Sequence, residues 1–266
     1  MVRRRQHVVA LRGRLGNQLF QISFAHWLSS RSDFGVGLDL SGLGGVEVTG
    51  PPAMDAWVRA RPVAAPAWWP APVGRFGPVG VVMRRLAGPS TVIVDESAPG
   101  RAPEPSVPSW WFGYWQQVRF AAESRERIRG WFGLRGDSVD PVIRVHVRRG
   151  DFVRLTQSLP IEWFRAAIGA ARRRSGLERV EFVSDDPGWC AAALLPAVAG
   201  AVVAPAGDPV ADLTRLARSA VLVGSDSTFS WWAGFLGSSE VLLPDRVGNI
   251  RHLVDPVRDP RWTLIP

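Results

Sequence analysis

The sequence predicts an α/β protein whose second half is a doubly wound parallel sheet, and two patterns carry that prediction. From Pro141 onward, short β-branched runs alternate with helical segments, the order of parallel strands joined by crossover helices. Near the start, His7 to Leu11 leads through Arg12–Gly16 into a stretch where Leu19, Phe20, Phe24, Trp27 and Leu28 recur at helical spacing. That is a strand, a tight turn and a helix. The chain has 266 residues, 46% of them hydrophobic, enough for one or two such units to bury a core without staples.

Taken in order, the first helix is expected over Asn17 to Ser30. From Gly50 to Pro108 the composition shifts to Pro, Gly, Ala and Trp; one strand is expected, Thr91 to Val94, with loops packed through Trp57, Trp68 and Trp69. Val118 to Phe132 reads as an amphipathic helix with Val118, Ala121, Ala122, Ile128 and Phe132 on one stripe. The later strands are expected at Val142 to Val147, Val180 to Val183, Ala201 to Val203, Val221 to Val223 and Val241 to Leu243. Helices start near Pro160, Pro187, Pro209 and Thr228, proline being tolerated in a first turn where its missing N–H has no helical partner. The expected division is therefore 1–140 and 141–266.

The lone Cys190 excludes an internal disulfide, and no run reads as a signal peptide or a membrane-spanning helix, so a cytoplasmic protein is expected. All 32 cationic side chains are Arg, giving a net charge of +8. This is either a solvated basic surface or the mark of a polyanionic partner: nucleic acid, anionic lipid or a diphosphate, whose oxygens suit the planar guanidinium fork. The four His are scattered and no Asp-x-Asp or His-x-x-x-His pattern occurs, so no tight protein-built metal site is expected. A chain without Lys has no Walker lysine, and no Gly-x-Ser-x-Gly elbow is present.

Four places carry candidate chemistry. In "RGRLGNQLFQ", Gly13 and Gly16 flank a strand-to-helix turn; the turn either brings backbone amides to a phosphate or is only a turn, with Asn17 as its helix cap. In "VIRVHVRRGDFV", a strand ends in His146, Arg148, Arg149, Gly150 and Asp151, at the carboxyl edge where open α/β sheets bind ligands. Alternation puts His146 and Arg148 on one face and Arg149 on the other if the extended geometry persists. One arginine would clamp a phosphate while the other braces the loop or pairs with Asp151. In "EFVSDDPGWC", Asp185 and Asp186 either accept from ribose hydroxyls or a guanine edge, or cap the next helix. In "VLVGSDSTFSWW", Ser225, Asp226, Ser227 and Thr228 stand at a helix start suited to phosphate, while Trp231 and Trp232 read as core.

Together, "GRLGNQLFQ", "GYWQ", "HVRRGDFV", "LPIEWFRAAI", "FVSDDPGWC" and "SDSTFSWW" resemble, in order and placement, the α-1,2-fucosyltransferases of glycosyltransferase family 11. The basic strand-end motif is shared with α-1,6-fucosyltransferases and protein O-fucosyltransferases. The resemblance implies a GT-B fold of two Rossmann-like halves with the active site in the cleft, an acceptor-side first half and a donor-binding second. It implies GDP-β-L-fucose as donor, a galactoside glycan as acceptor, no metal and no nucleic-acid partner. An α-1,6-transferase and a non-catalytic GDP-sugar- or glycan-binding homologue are the alternatives.

By position, Arg148 would bind the diphosphate, with His146 and Arg149 lining or bracing the donor pocket. Asp185 and Asp186 would face the guanosine, Ser227, Thr228 and Phe229 the phosphates or base, and Gly16 and Asn17 the donor from the first half. Asp151 is the candidate base. The sequence departs from the family at Asp226, where Asn is usual, and at Arg14, where Gly is usual. The Arg-rich surface also admits peripheral attachment to an inner membrane, where lipid-linked glycans are built.

Overall fold

The computed structural model describes residues 6–43, 48, 50–63, 92–95, 108–136, 138–245, 248, 250, 252–254 and 259–266, with only the backbone path at 92–95. Trp68, Trp69 and Thr91 lie outside the described residues. The chain divides into two compact units, Met1–Glu126 and Arg127–Pro266. Residues 127–136 and 138–140, which the sequence division placed with the first half, belong to the second unit: Arg129 donates to the carbonyls of Leu134 and Leu236, and Arg218 to that of Gly133.

The first unit is a parallel sheet in the order β2-β1-β4-β3, with β1 Gln6–Ala10, β2 Gly35–Asp39, β3 Val92–Asp95 and β4 Ser109–Phe112. Between β1 and β2 runs α1, Leu15–Ser29, whose residues are buried on nearly every side, as expected of a helix apolar all round. Its Phe24 ring stacks on Trp115 at 4.1 Å and meets Trp111 and Phe120 edge-on, which makes an aromatic core. A second helix, α2, spans Pro52–Arg59. Helix α3, Val118–Trp131, buries Phe120, Ala121, Ser124 and Ile128; the expected stripe is displaced, because Ala122 is exposed and Phe120 and Ser124 face inward instead.

The second unit is a six-stranded parallel sheet in the order β10-β9-β8-β5-β6-β7. Its strands are β5 Asp140–Val147, β6 Val180–Ser184, β7 Ala201–Val203, β8 Ser219–Gly224, β9 Glu240–Pro244 and β10 Trp262–Ile265. The helices are α4 Gly150–Arg154, α5 Ile161–Ser175, α6 Pro187–Trp189, α7 Pro209–Ala217 and α8 Thr228–Leu236. β5 is central, paired with β6 on one side and β8 on the other. The chain winds outward from β5 through β6 to β7, then returns to β8 and winds the other way. The order therefore reverses between β5 and β8, the place where open α/β sheets leave a crevice at their carboxyl edge.

Local chemistry sets the helix starts. Asp208 caps α7 by accepting from the amides of Val210 and Ala211 at 2.8 Å, and Asp186 and Ser227 cap α6 and α8 in the same way. α5 ends at Gly176, whose φ of +71° is a left-handed cap that glycine adopts without steric cost. Ile143, Val145, Val147, Phe164, Ile168, Phe182 and Val223 form one core cluster. Trp231 and Trp232 are fully buried, as their spacing indicated, and Trp231 stacks on Phe235 at 4.5 Å. Under the sheet, Arg144 bonds Glu181 at 2.7 Å and Asp140 at 2.8 Å, and Arg215 reaches the other Glu181 oxygen at 3.0 Å.

Candidate functional site

The β5–β8 reversal is built from backbone and hydroxyl groups. Ser225, just past β8, donates its hydroxyl to the carbonyl of His146 at 2.8 Å and accepts from the amide of Arg148 at 3.0 Å. It pins the end of β5 to the turn before α8. The pairing ladder of β5 stops at Val147, so the condition for strand alternation to place the two arginines is not met; Arg149, at φ −123° and ψ −76°, is aimed by a turn.

At this edge the chain gathers Arg148, Arg149, Asp151, Asp185 and Asp186. The Arg148 guanidinium bonds Asp151 and Asp185. Arg149 donates its amide to Asp185 Oδ1 at 2.9 Å and its Nε to Asp186 Oδ2 at 3.3 Å, and its guanidinium lies 3.8 Å from the centre of the Trp189 ring. The sequence reading offered Asp151 as partner to Arg149. The structure gives it to Arg148, because Asp151 lies in the first turn of α4, three residues after Arg148. Asp186 is the helix cap, accepting from the Trp189 amide at 3.0 Å, while Asp185 ties both arginines. A Cβ on residue 150 would stand 2.6 Å from Asp185 Oδ2, so glycine there leaves the carboxylate its path to Arg148.

His146 is buried, its Nδ1 2.6 Å from Ser230 Oγ and its ring 5.1 Å from that of Phe229. Burial, with the Arg148 charge adding to it, pushes its pKa down to about 3, so the imidazole is neutral and braces the strand against α8. Ser227 is the buried cap of α8, accepting from the Phe229 amide at 3.1 Å, and Thr228 opens the helix. Asp226 is buried away from this edge chemistry: Oδ1 accepts from the amide of Ile250 at 3.1 Å, and Oδ2 fills the space a side chain at Gly248 would need. Cys190 is fully buried, and desolvation pushes its thiol pKa up, which suits packing rather than reactivity.

Gly16 and Asn17 belong to the first unit. Here α1 begins at Leu15, two residues before the expected start, with Arg14 as its cap and Asn17 inside the first turn. Asn17 Oδ1 accepts from Gln116 at 3.1 Å, so it ties the turn to the "GYWQ" segment. Gly13, at φ +75°, makes the bend; a Cβ there would meet the Asn17 amide nitrogen at 2.8 Å. Gln18 donates to the Gly13 carbonyl at 2.9 Å, and Gln21 bridges the Arg12 amide and the Gly113 carbonyl, both at 2.9 Å. Sequence reasoning passed over Gln18, Gln21, Ser230 and Trp189. The two glutamines, polar and buried on a helix apolar all round, were the visible signal.

A shallow depression in the second unit lies at the opposite edge, before β5, β8 and β9, lined by Arg129, Gly133, Arg135, Arg218 and Leu236. Arg129 and Arg218 donate there to carbonyls at the ends of α3 and α8, so they act as cationic helix caps. The paired arginines and carboxylates gather at the other edge. Among the described residues no cluster of three His, Cys, Asp or Glu is arranged to hold a metal ion, and no helix is long and apolar enough to cross a membrane.

Residues 105–243, which include every one of these second-unit site residues, match the family model described as glycosyl transferase family 11. The chain belongs to glycosyl transferase family 11. Two solved structures resemble this family 11 chain across most of both lengths. The crystal structure of fucosyltransferase NodZ from Bradyrhizobium is 16% identical, covers 91% of this chain and 96% of its own, and gives a TM-score of 0.50. The E. coli heptosyltransferase WaaC with ADP-2-deoxy-2-fluoro heptose is 13% identical, covers 98% and 92%, and gives 0.52. At these identities the likeness is one of fold, and the fold is GT-B, two Rossmann-like parallel-sheet units. No curated protein matches the chain.

Proposed function

We propose that this family 11 chain is an inverting, metal-independent fucosyltransferase that moves L-fucose from GDP-β-L-fucose to the 2-hydroxyl of a galactose-containing glycan. The observation that carries the reading is the pair of guanidiniums, Arg148 and Arg149, at the reversal point of the second sheet, where nucleotide ligands of such sheets bind. As the acceptor oxygen bonds to the fucose anomeric carbon, the bond from that carbon to phosphate breaks and negative charge grows on the departing GDP. Fixed cations aimed at that charge favour the transition state over the ground state, and removing one such donor commonly costs on the order of 100- to 1000-fold in rate. In this role Arg148 does what a divalent cation does elsewhere.

In this reading the second unit holds the donor and the first serves the acceptor. His146 braces the pocket as a neutral ring, Asp185 and Asp186 face the guanosine, and Ser227, Thr228 and Phe229 approach the phosphates or base. Asp151 accepts the proton of the attacking hydroxyl. The departure at Asp226 does not set a charge against the phosphate, since that carboxylate is turned toward Gly248 and the amide of Ile250. The chain acts in the cytoplasm, on glycans built at the inner face of a membrane.

Incubation with GDP-fucose and β-galactosides in the presence of a chelator tests this. The expected product carries fucose on the galactose 2-hydroxyl by NMR. A 6-linked product would replace the linkage, and binding of GDP without turnover on any acceptor would leave a non-catalytic homologue.

A further inference from the structure

Three carboxylates surround the two guanidiniums of the site: Asp151 and Asp185 on Arg148, and Asp186 on Arg149. The local sum is negative before any ligand arrives, and a diphosphate adds at least two further negative charges. Like charges at contact distance oppose one another strongly, so a diphosphate can reach Arg148 only if a carboxylate gives way.

The two carboxylates on Arg148 are not equivalent. Asp185 is anchored a second time by the Arg149 amide at 2.9 Å, stands at the end of β6, and has a side chain only 25% exposed. Asp151 is 39% exposed and makes no second side-chain hydrogen bond among the described residues. Its helix, α4, has five residues and buries none of them. The turn that follows passes through Thr156 at φ +55°, a left-handed conformation that costs a threonine energy. A short element with few buried contacts is where a fold rearranges at least cost.

We infer that Asp151 is an exchangeable counter-ion of Arg148: the donor diphosphate displaces it and leaves Asp185 in place. This rests on the functional reading above and adds an order to it. The carboxylate needed to take the acceptor's proton is tied up until the donor is bound, so Asp151 is released to act as base only in the donor complex. The same exchange shields Arg148 from solvent anions in the empty enzyme.

The test is calorimetric titration of GDP into the wild-type chain, Asp151→Asn and Arg148→Ala, with melting curves to show each is folded. Removing a competing carboxylate that is itself 39% exposed should tighten GDP binding by about two- to fivefold in Asp151→Asn, while fucosyl transfer falls. A residue that merely holds the fold, or one that contacts the donor, would weaken GDP binding instead. Unchanged or weaker binding in Asp151→Asn, with binding still lost in Arg148→Ala, overturns the exchange and leaves the functional reading standing. Unchanged binding in Arg148→Ala overturns both. Asp151→Ser serves as a second variant, with the same tightening expected.

Discussion

His146 offers a stability measurement whose size follows from its surroundings. Its ring is enclosed and its pKa is held at about 3, whereas in the unfolded chain an imidazole titrates near 6.5. Below pH 6.5 the unfolded state therefore binds a proton that the folded state refuses, and stability falls as pH falls. The slope for one such group is about 1.4 kcal/mol per pH unit, so between pH 6.5 and 5 it removes about 2 kcal/mol. The loss levels off only near the folded pKa. Carboxylates titrate over part of the same range, so the informative quantity is the difference between wild type and His146→Asn, whose amide can still meet Ser230. Urea unfolding at pH 7, 6 and 5 should show the wild type losing about 2 kcal/mol more than the variant over that span. Parallel pH profiles would refute the reasoning and mean that the imidazole takes up its proton as readily in the folded protein as in the unfolded chain.

Two further substitutions probe the scaffold. Gln21→Ala removes the amide that bridges the Arg12 N–H and the Gly113 carbonyl; leaving these groups unpaired should cost about 1–3 kcal/mol, read as a lower urea midpoint at unchanged slope. Glu181→Gln takes the charge from between Arg144 and Arg215, and because Arg144 keeps Asp140, a loss near the lower end of the range for broken buried pairs, about 3 kcal/mol, is expected by the same assay.

The second unit was largely legible in the sequence because its central strands, β5, β6, β8 and β9, are β-branched runs buried on both faces, and most of its helices open with proline or with Asp and Ser caps. The elements that escaped lack those marks. β2 is Gly-Val-Gly-Leu-Asp, where two glycines hide the pattern; β4 is Ser-Trp-Trp-Phe, aromatic but without a β-branched residue; β10 is Trp-Thr-Leu-Ile, four residues too short to show a period. α2, Pro52–Arg59, was absorbed into a Pro- and Ala-rich stretch whose composition outweighed its Met54 and Val58 spacing.

At the site, the residues stood out because polar groups at the ends of apolar strands are visible in any sequence. Their pairing was not visible. Which arginine takes Asp151 depends on where β5 stops and how the chain turns, and that is set by Ser225 from a strand more than seventy residues away. The neutral state of His146 likewise depends on Ser230, one turn into a helix whose spacing announced only core.

The claim on which the account rests is that Arg148, at the reversal point of the second sheet, holds a nucleotide diphosphate without help from a metal. Titration of GDP in the presence of a chelator, into wild type and Arg148→Ala, addresses it directly. The account predicts saturable binding to the wild type that weakens at least about tenfold in the variant, the scale of a lost charge-assisted hydrogen bond. Equal affinity in the two proteins, or wild-type binding that appears only when a divalent cation is supplied, would contradict it.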